Sequence, residues 1–242
     1  MKISIKNENK SKTKNNDIKL DPVPKILPLP NGPLYLLNNL KPMIVENLQN
    51  SRGEALYNVR GVALCRCGTY KNKPFCDGSH SMIKFVTENK TESNELSGIR
   101  KSKKSYVGSA ITIHNNRSLC SHAAHCVKKL SSVFRLNSRP WINPNGATKD
   151  EIIESIRQYP SGALSYSLES VEFKDVEDRK PLITVSNNGP YVVSGGIELL
   201  NDTKIDDNAS KEHYTLCRCG ASKNKAVCDG THISINFNDE IN

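Results

Sequence analysis

The stretch CRCGTYKNKPFCDGSH at residues 65–80 returns as CRCGASKNKAVCDGTH at residues 217–232. Eleven of the sixteen positions are identical at a constant offset of 152 residues, so the chain holds two copies of one unit. The echo continues outside the motif. Asn31-Gly32-Pro33 precedes the first copy as Asn188-Gly189-Pro190 precedes the second, and Met82-Ile83-Lys84-Phe85 follows as Ser234-Ile235-Asn236-Phe237 follows. The repeated unit is therefore a small domain, larger than the motif.

Each copy carries three Cys and one His: Cys65, Cys67, Cys76 and His80, then Cys217, Cys219, Cys228 and His232. Thiolates are soft ligands and imidazole is borderline, a set that suits zinc or an iron-sulfur cluster and disfavours Mg or Ca. Structural zinc sites usually draw on C-x2-4-C knuckles, whereas both copies open on C-x-C. A tight C-x-C pair can place both sulfurs on one iron of a [2Fe-2S] rhomb and leave the remaining Cys and His for the other. That pattern fits a cluster better than a single ion, with a redox-silent Cys3His zinc site as the alternative.

The pattern C-x-C-x2-[S/T]-x3-P-x-C-D-G-[S/A/T]-H resembles the signature of the CDGSH iron-sulfur domain, or NEET, proteins. All four ligand positions are present in both copies; the departures are Tyr70, where the family has Ser or Thr, and Ala226, where it has the equivalent of Pro74. The resemblance implies two [2Fe-2S] clusters, each with one accessible His ligand whose protonation makes the cluster acid-labile and transferable. An imidazole must be neutral to coordinate, so the chemistry agrees. The family also pairs its modules, which implies an intramolecular pseudo-dimer of the two units. Beside the ligands, Asp77 and Asp229 are expected to cap a helical turn carrying Cys76 and His80, or Cys228 and His232. Gly78 and Gly230 are expected to allow close backbone approach. Arg66, Arg218, Lys71, Lys73, Lys223 and Lys225 are candidates for a basic rim that attracts acidic partners.

Short β-like runs bounded by Gly, Asn and Pro fill both units: Leu34 to Leu37, Gly61 to Leu64 and Ile83 to Val86, then Tyr191 to Val193, Tyr214 to Leu216 and Ile233 to Phe237. Between the units runs a different pattern: a strand from Tyr106 to Ile113, a Cys/His segment, and a helix opened by a capping box at Thr148 and Glu151. That helix ends at Tyr159-Pro160-Ser161-Gly162, and a strand from Ala163 to Val171 follows. CSHAAHC at 120–126, Pro140-Trp141-Ile142 and PSGALSY at 160–166 resemble the divergent single-cluster ferredoxin-type domain. That family has a Cys before its Pro-Ser-Gly-Ala-Leu segment, where this chain has Tyr159. A ferredoxin-type [4Fe-4S] site wants four thiolates or close substitutes. The module supplies Cys120 and Cys126, with His122 and His125 between them, so a scaffold that has lost its cluster is expected. Cys120, His122 and Cys126 are the extra candidate ligands for an altered metal site, or for a complete site that borrows a ligand from elsewhere. Trp141 and Phe134 read as core residues.

The fold class that follows is α+β: two small β-rich CDGSH modules with short helical turns, and an inserted ferredoxin-like α+β module. The boundaries are a disordered basic tail at 1–20, a first module at 21–88, a linker at 89–104, the middle module at 105–172 and a second module at 173–242. In the tail six Lys meet only Glu8 and Asp17, which accounts for much of the formal net charge of +9. Aromatic residues make up only 6% of the chain and no basic stretch interleaves them, so nucleic acid is not expected as a partner. No run of eighteen apolar residues and no signal-peptide core is present, so the chain is expected to be soluble, intracellular and cytoplasmic. Without a nucleophile-base set or a phosphate loop, the expectation is a non-enzymatic electron-transfer or cluster-transfer protein whose partners are redox or apo-acceptor proteins. A zinc-stabilised interaction module and a redox subunit of a larger enzyme are the alternatives.

Overall fold

The computed structural model describes residues 24–37, 48–56, 63–69, 71, 73–87, 103–200 and 209–239. The basic tail, most of the linker, Gly61 and Tyr70 lie outside the described residues.

In the first unit, β1 (Lys25–Pro28) turns at Asn31-Gly32 and pairs antiparallel with β2 (Leu34–Leu37). A separate strand, β3 (Leu48–Asn50), follows, and β4 (Ala63–Leu64) pairs with β2, Leu34 opposite Leu64. One helical turn, α1 (Ser79–Met82), closes the unit. The middle module is an antiparallel meander of β5 (Lys103–Val107), β6 (Thr112–Asn116), β7 (Leu164–Leu168) and β8 (Val171–Phe173). Between β6 and β7 lie α2 (His125–Lys129) and α3 (Lys149–Arg157). The second unit repeats the first with β9 (Leu182–Val185), β10 (Tyr191–Ser194), β11 (Glu198–Leu199), β12 (Tyr214–Leu216) and α4 (Thr231–Ser234). The chain is α+β, as the sequence predicts.

The two units exchange strands. β3 of the first runs parallel to β9 of the second, Leu48 against Ile183, while β11 of the second runs parallel to β1 of the first, Leu199 against Ile26. Each four-stranded sheet therefore contains three strands of its own unit and one of the other. Their side chains share one core, in which Ile26, Leu34, Leu48 and Leu64 meet Ile183, Tyr191, Val193 and Leu216. A unit of this size buries too little apolar surface by itself, and each Leu or Ile removed from water contributes about 1.5–3 kcal/mol. Sharing strands lets both units bury theirs.

The middle module has its own core, with Ile113, Phe134, Ile142, Ile152 and Tyr166, and Trp141 packed against it. Helix α3 begins where expected: Thr148 Oγ1 accepts from the Glu151 amide, and the Glu151 carboxylate accepts from the Thr148 amide at 2.9 Å. Ile152 and Ile156, one turn apart, are its buried face.

Four strand expectations need correction. Tyr106 to Ile113 is a hairpin rather than one strand, turning where the Gly108 amide donates to Ile111 O. Ala163 to Val171 likewise turns at Glu169 and Ser170, both at positive φ, into β8. Ile83 to Val86 and Ile233 to Phe237 are not strands; their alternation is that of a helix end. Lys84 and Asn236 adopt left-handed backbone, and the Phe85 and Phe237 amides reach back to His80 O and His232 O at 2.9 Å. Among the described residues, no helix is long and apolar enough to cross a membrane.

Candidate metal centres

Each motif folds back on itself from its first ligand. The Cys65 amide donates to Pro74 O at 3.0 Å and the Cys76 amide to Ala63 O at 2.8 Å, which sets the third cysteine beside the first two. In the second copy the Cys217 amide donates to Ala226 O and the Cys228 amide to Thr215 O, at 2.8 and 2.9 Å. Ala226 thus keeps the backbone role of Pro74.

The turn to the histidine is built by Asp-Gly. Asp77 Oδ1 accepts from the amide and hydroxyl of Ser79, and Oδ2 from the Lys71 amide. Its carboxyl is lowered to about 2, first by the Ser79 hydroxyl and then, against some burial, by the backbone donors. Asp229 makes the same contacts with Thr231 and Lys223. The aspartates therefore do hold the turn, but from one position before the helix N-cap, and the cap residues are Gly78 and Gly230 at φ of 88° and 86°. Left-handed backbone, which glycine adopts without a Cβ penalty, swings His80 and His232 back toward Cys76 and Cys228. The cysteines are not on the helical turn. For Gly78 the requirement is φ, since among the described residues an added Cβ would meet nothing within 4 Å beyond its chain neighbours.

The ligands arrive in pairs. Cys65 Sγ lies 3.4 Å from Cys67 Sγ and Cys76 Sγ 3.3 Å from His80 Nδ1; the second-copy distances are 3.8 Å for Cys217–Cys219 and 3.4 Å for Cys228–His232. Two donors on one tetrahedral metal, with bonds of about 2.0–2.3 Å, lie about 3.3–3.8 Å apart. Among the described residues, no group of three His, Cys, Asp or Glu is set to hold a single ion.

Within each C-x-C pair one proton serves two sulfurs. Cys67 is lowered to about 5, first by the hydrogen bond with Cys65, and that contact followed by burial raises Cys65. Cys219 is lowered to about 7 by Cys217, which is itself raised by that contact and by burial. Burial raises Cys76 and Cys228. Cys67 and Cys219 are thus the readier thiolates, the form that binds metal, of their C-x-C pairs.

The two arginines between the paired cysteines are not a rim. Arg66 is 5% and Arg218 1% exposed. Arg218 donates to Gly189 O and Ser186 O, pairs with Asp239 and lies over the Tyr191 and Phe237 rings; Arg66 reaches Leu29 O at 3.4 Å. Both clamp the hairpin turn of their own unit, which gives the Asn-Gly-Pro echo a physical meaning. Of the lysines, Lys71 and Lys223 are exposed, while Lys73 and Lys225 bind Asn238 O and Ser222 O.

The two metal loops touch. A Cβ on Gly68 would fall 2.5 Å from Cys219 O, and a Cβ on Gly220 2.5 Å from Cys67 O. Tyr191 of the second unit donates its hydroxyl to Cys65 O of the first at 2.8 Å. Sequence reasoning passes over Gly68, Gly220 and Tyr191, although the identity of Gly68 and Gly220 between the copies marks the first two.

In the middle module Cys120 and Cys126 are buried in the core with Tyr159, whose hydroxyl is 3.0 Å from Cys120 Sγ. Arg117 Nη1 also faces Cys120, at 3.8 Å. His122 points elsewhere: its ring carbons would lie 2.6–2.8 Å from a Cβ on Gly230, over the second motif's turn.

Residues 31–81 and 188–233 match the family described as iron-binding zinc finger, CDGSH type. Residues 106–169 match the family described as divergent 4Fe-4S mono-cluster. No curated protein and no solved structure matches the chain.

Proposed function

We propose that this iron-sulfur-binding protein, with CDGSH-type regions on both sides of a divergent 4Fe-4S mono-cluster region, holds one [2Fe-2S] cluster at each of its two Cys3His sites. It passes electrons or whole clusters to partner proteins. The paired donor spacing, found twice in each motif, carries this reading.

Cys65, Cys67, Cys217 and Cys219 would hold the cluster as thiolates, with Cys67 and Cys219 the more readily deprotonated of each pair. Cys76 with His80, and Cys228 with His232, complete the sets through sulfur and Nδ1. The Thr69 hydroxyl, 3.3 Å from Cys67 Sγ, and the Gly230 amide, 3.5 Å from Cys228 Sγ, offset negative charge on the sulfurs. When bound, such a cluster supplies a one-electron couple, and a neutral His in place of a thiolate raises its potential. The exposed Lys71 and Lys223 favour an acidic partner face. The contact between the two metal loops supports the units acting together as an intramolecular pseudo-dimer. In the middle module Tyr159 occupies the place of a cluster Cys, which supports a scaffold without its own cluster.

Visible absorption and EPR spectra, with iron, sulfide and zinc counted per chain, test the reading. About four irons are expected, two per site, together with a red-brown colour. Cys76→Ser and Cys228→Ser should each remove half of the iron, and Cys120→Ser none. A colourless protein with one zinc per motif would overturn the proposal.

A further inference from the structure

The two motifs share their internal geometry but not their surroundings. Cys76 and His80 are half-buried and Asp77 and Gly78 exposed; in the second copy Cys228 is 2% and His232 8% exposed, and Gly230 is buried. The middle module makes the difference. Its His122 ring lies beside Gly230, within 2.6–2.8 Å of where a Cβ on that glycine would stand, the Asn224 side chain donates to Ser118 O at 3.2 Å, and Val227 belongs to the middle module's core with Leu119 and Cys120. For Gly78, the counterpart of Gly230, no described residue beyond its own chain neighbours comes within 4 Å of where a Cβ would stand.

From this asymmetry we infer that the middle module is a lid on the second site, so that the first site is the exchange port and the second retains its cluster. The inference rests on the cluster reading above and adds a division of labour to it. At the first site Cys76 and His80 are only half-buried, so an acceptor's ligands can reach and replace them one at a time. Cys65, Cys67, Cys76 and His80 then give up their bonds to four acceptor ligands, protons from water return to the thiols, and no electron moves. At the second site the same substitution requires the 116–124 segment to lift from residues 224–232 first. The ferredoxin-like scaffold thereby has a use that needs no cluster of its own.

The test is site-resolved release from the intact, metal-loaded chain. A chelator is added with a thiol-alkylating reagent, iron loss is followed optically, and the alkylated cysteines are mapped by peptide mass spectrometry. Half of the iron is expected to leave at least about tenfold faster than the rest, with Cys65, Cys67 and Cys76 labelled in the fast phase and Cys217, Cys219 and Cys228 in the slow one. His122→Gly, which suits the left-handed backbone of His122 at φ 57°, should accelerate the slow phase alone. Equal rates at the two sites, or first labelling of Cys228, would sink the lid; the wild-type protein decides this even where the variant folds poorly. Were the metal zinc, labelling order would still report on the lid while absorption and metal counts separately refuted the cluster reading.

Discussion

Gly68 of the first metal loop lies against the backbone of Cys219 in the second, and Gly220 lies against the backbone of Cys67 in return. Both glycines have φ near 80°. A side chain at either position meets a carbonyl of a ligand in the other copy and is strained in its own backbone. Gly68→Ala is therefore expected to cost at least about 2 kcal/mol by denaturant unfolding, and to lower iron binding at both motifs. Loss confined to the mutated copy would show that the loops do not depend on one another.

Tyr191 crosses between units as well, from the buried face of β10 to Cys65 O. Its place in β2 is taken by Leu34, which has no hydroxyl to return such a bond to the second site. Tyr191→Phe removes the donor without changing ring packing. A loss of about 1 kcal/mol in stability is expected, together with faster iron release from the first site only. Equal acceleration at the second site would assign Tyr191 to general packing.

On the proposed reading, His80 and His232 set the acid response. A proton competes with metal for imidazole nitrogen, so His80→Cys and His232→Cys are each expected to shift cluster loss to lower pH and to lower the reduction potential. His232 is held below the ordinary imidazole value, first by burial and then by neighbouring His122. In the unmodified protein the iron bound through His232 should accordingly be the last to leave as pH falls. Optical titration with each variant reads both effects; unchanged acid lability in both would contradict histidine ligation.

Away from the metals, Glu212 accepts from Arg179, His213 and the Gly195 amide. Burial raises its carboxyl, but these donors together hold it at about 2. The unfolded chain takes up this proton at an ordinary glutamate pH and the folded one much lower. The stability that Glu212 provides is thus complete above about pH 4.5 and is lost as pH falls from there toward 2. Thermal unfolding of Glu212→Gln from pH 5.5 to 2.5 should show a shallower acid slope than the parent. Parallel slopes would exclude this group.

The repeat, the Cys and His of the two motifs that lie in pairs, and the capping box were legible because each is a local pattern of residue type and spacing. Strand exchange was not, because β3 and β11 are two or three residues long and their pairing depends on partners more than a hundred residues away. Arg66 and Arg218 read as surface because charged residues usually are; their burial depends on carbonyls of a turn far off in sequence. The endings after His80 and His232 misled for a simpler reason, since a left-handed residue at Lys84 or Asn236 leaves no mark in an alternating apolar run.

Strand exchange also orders the events of synthesis. Leu48 waits for Ile183, and Ile26 for Leu199, so a chain emerging from the ribosome exposes an unfinished first sheet until nearly all of the protein is made. The first motif is complete in sequence by residue 80, yet its loop leans on Cys219. Closure of the first motif's loop against its partner is thereby deferred to the finished chain, and a truncated product lacks both exchanged strand pairings.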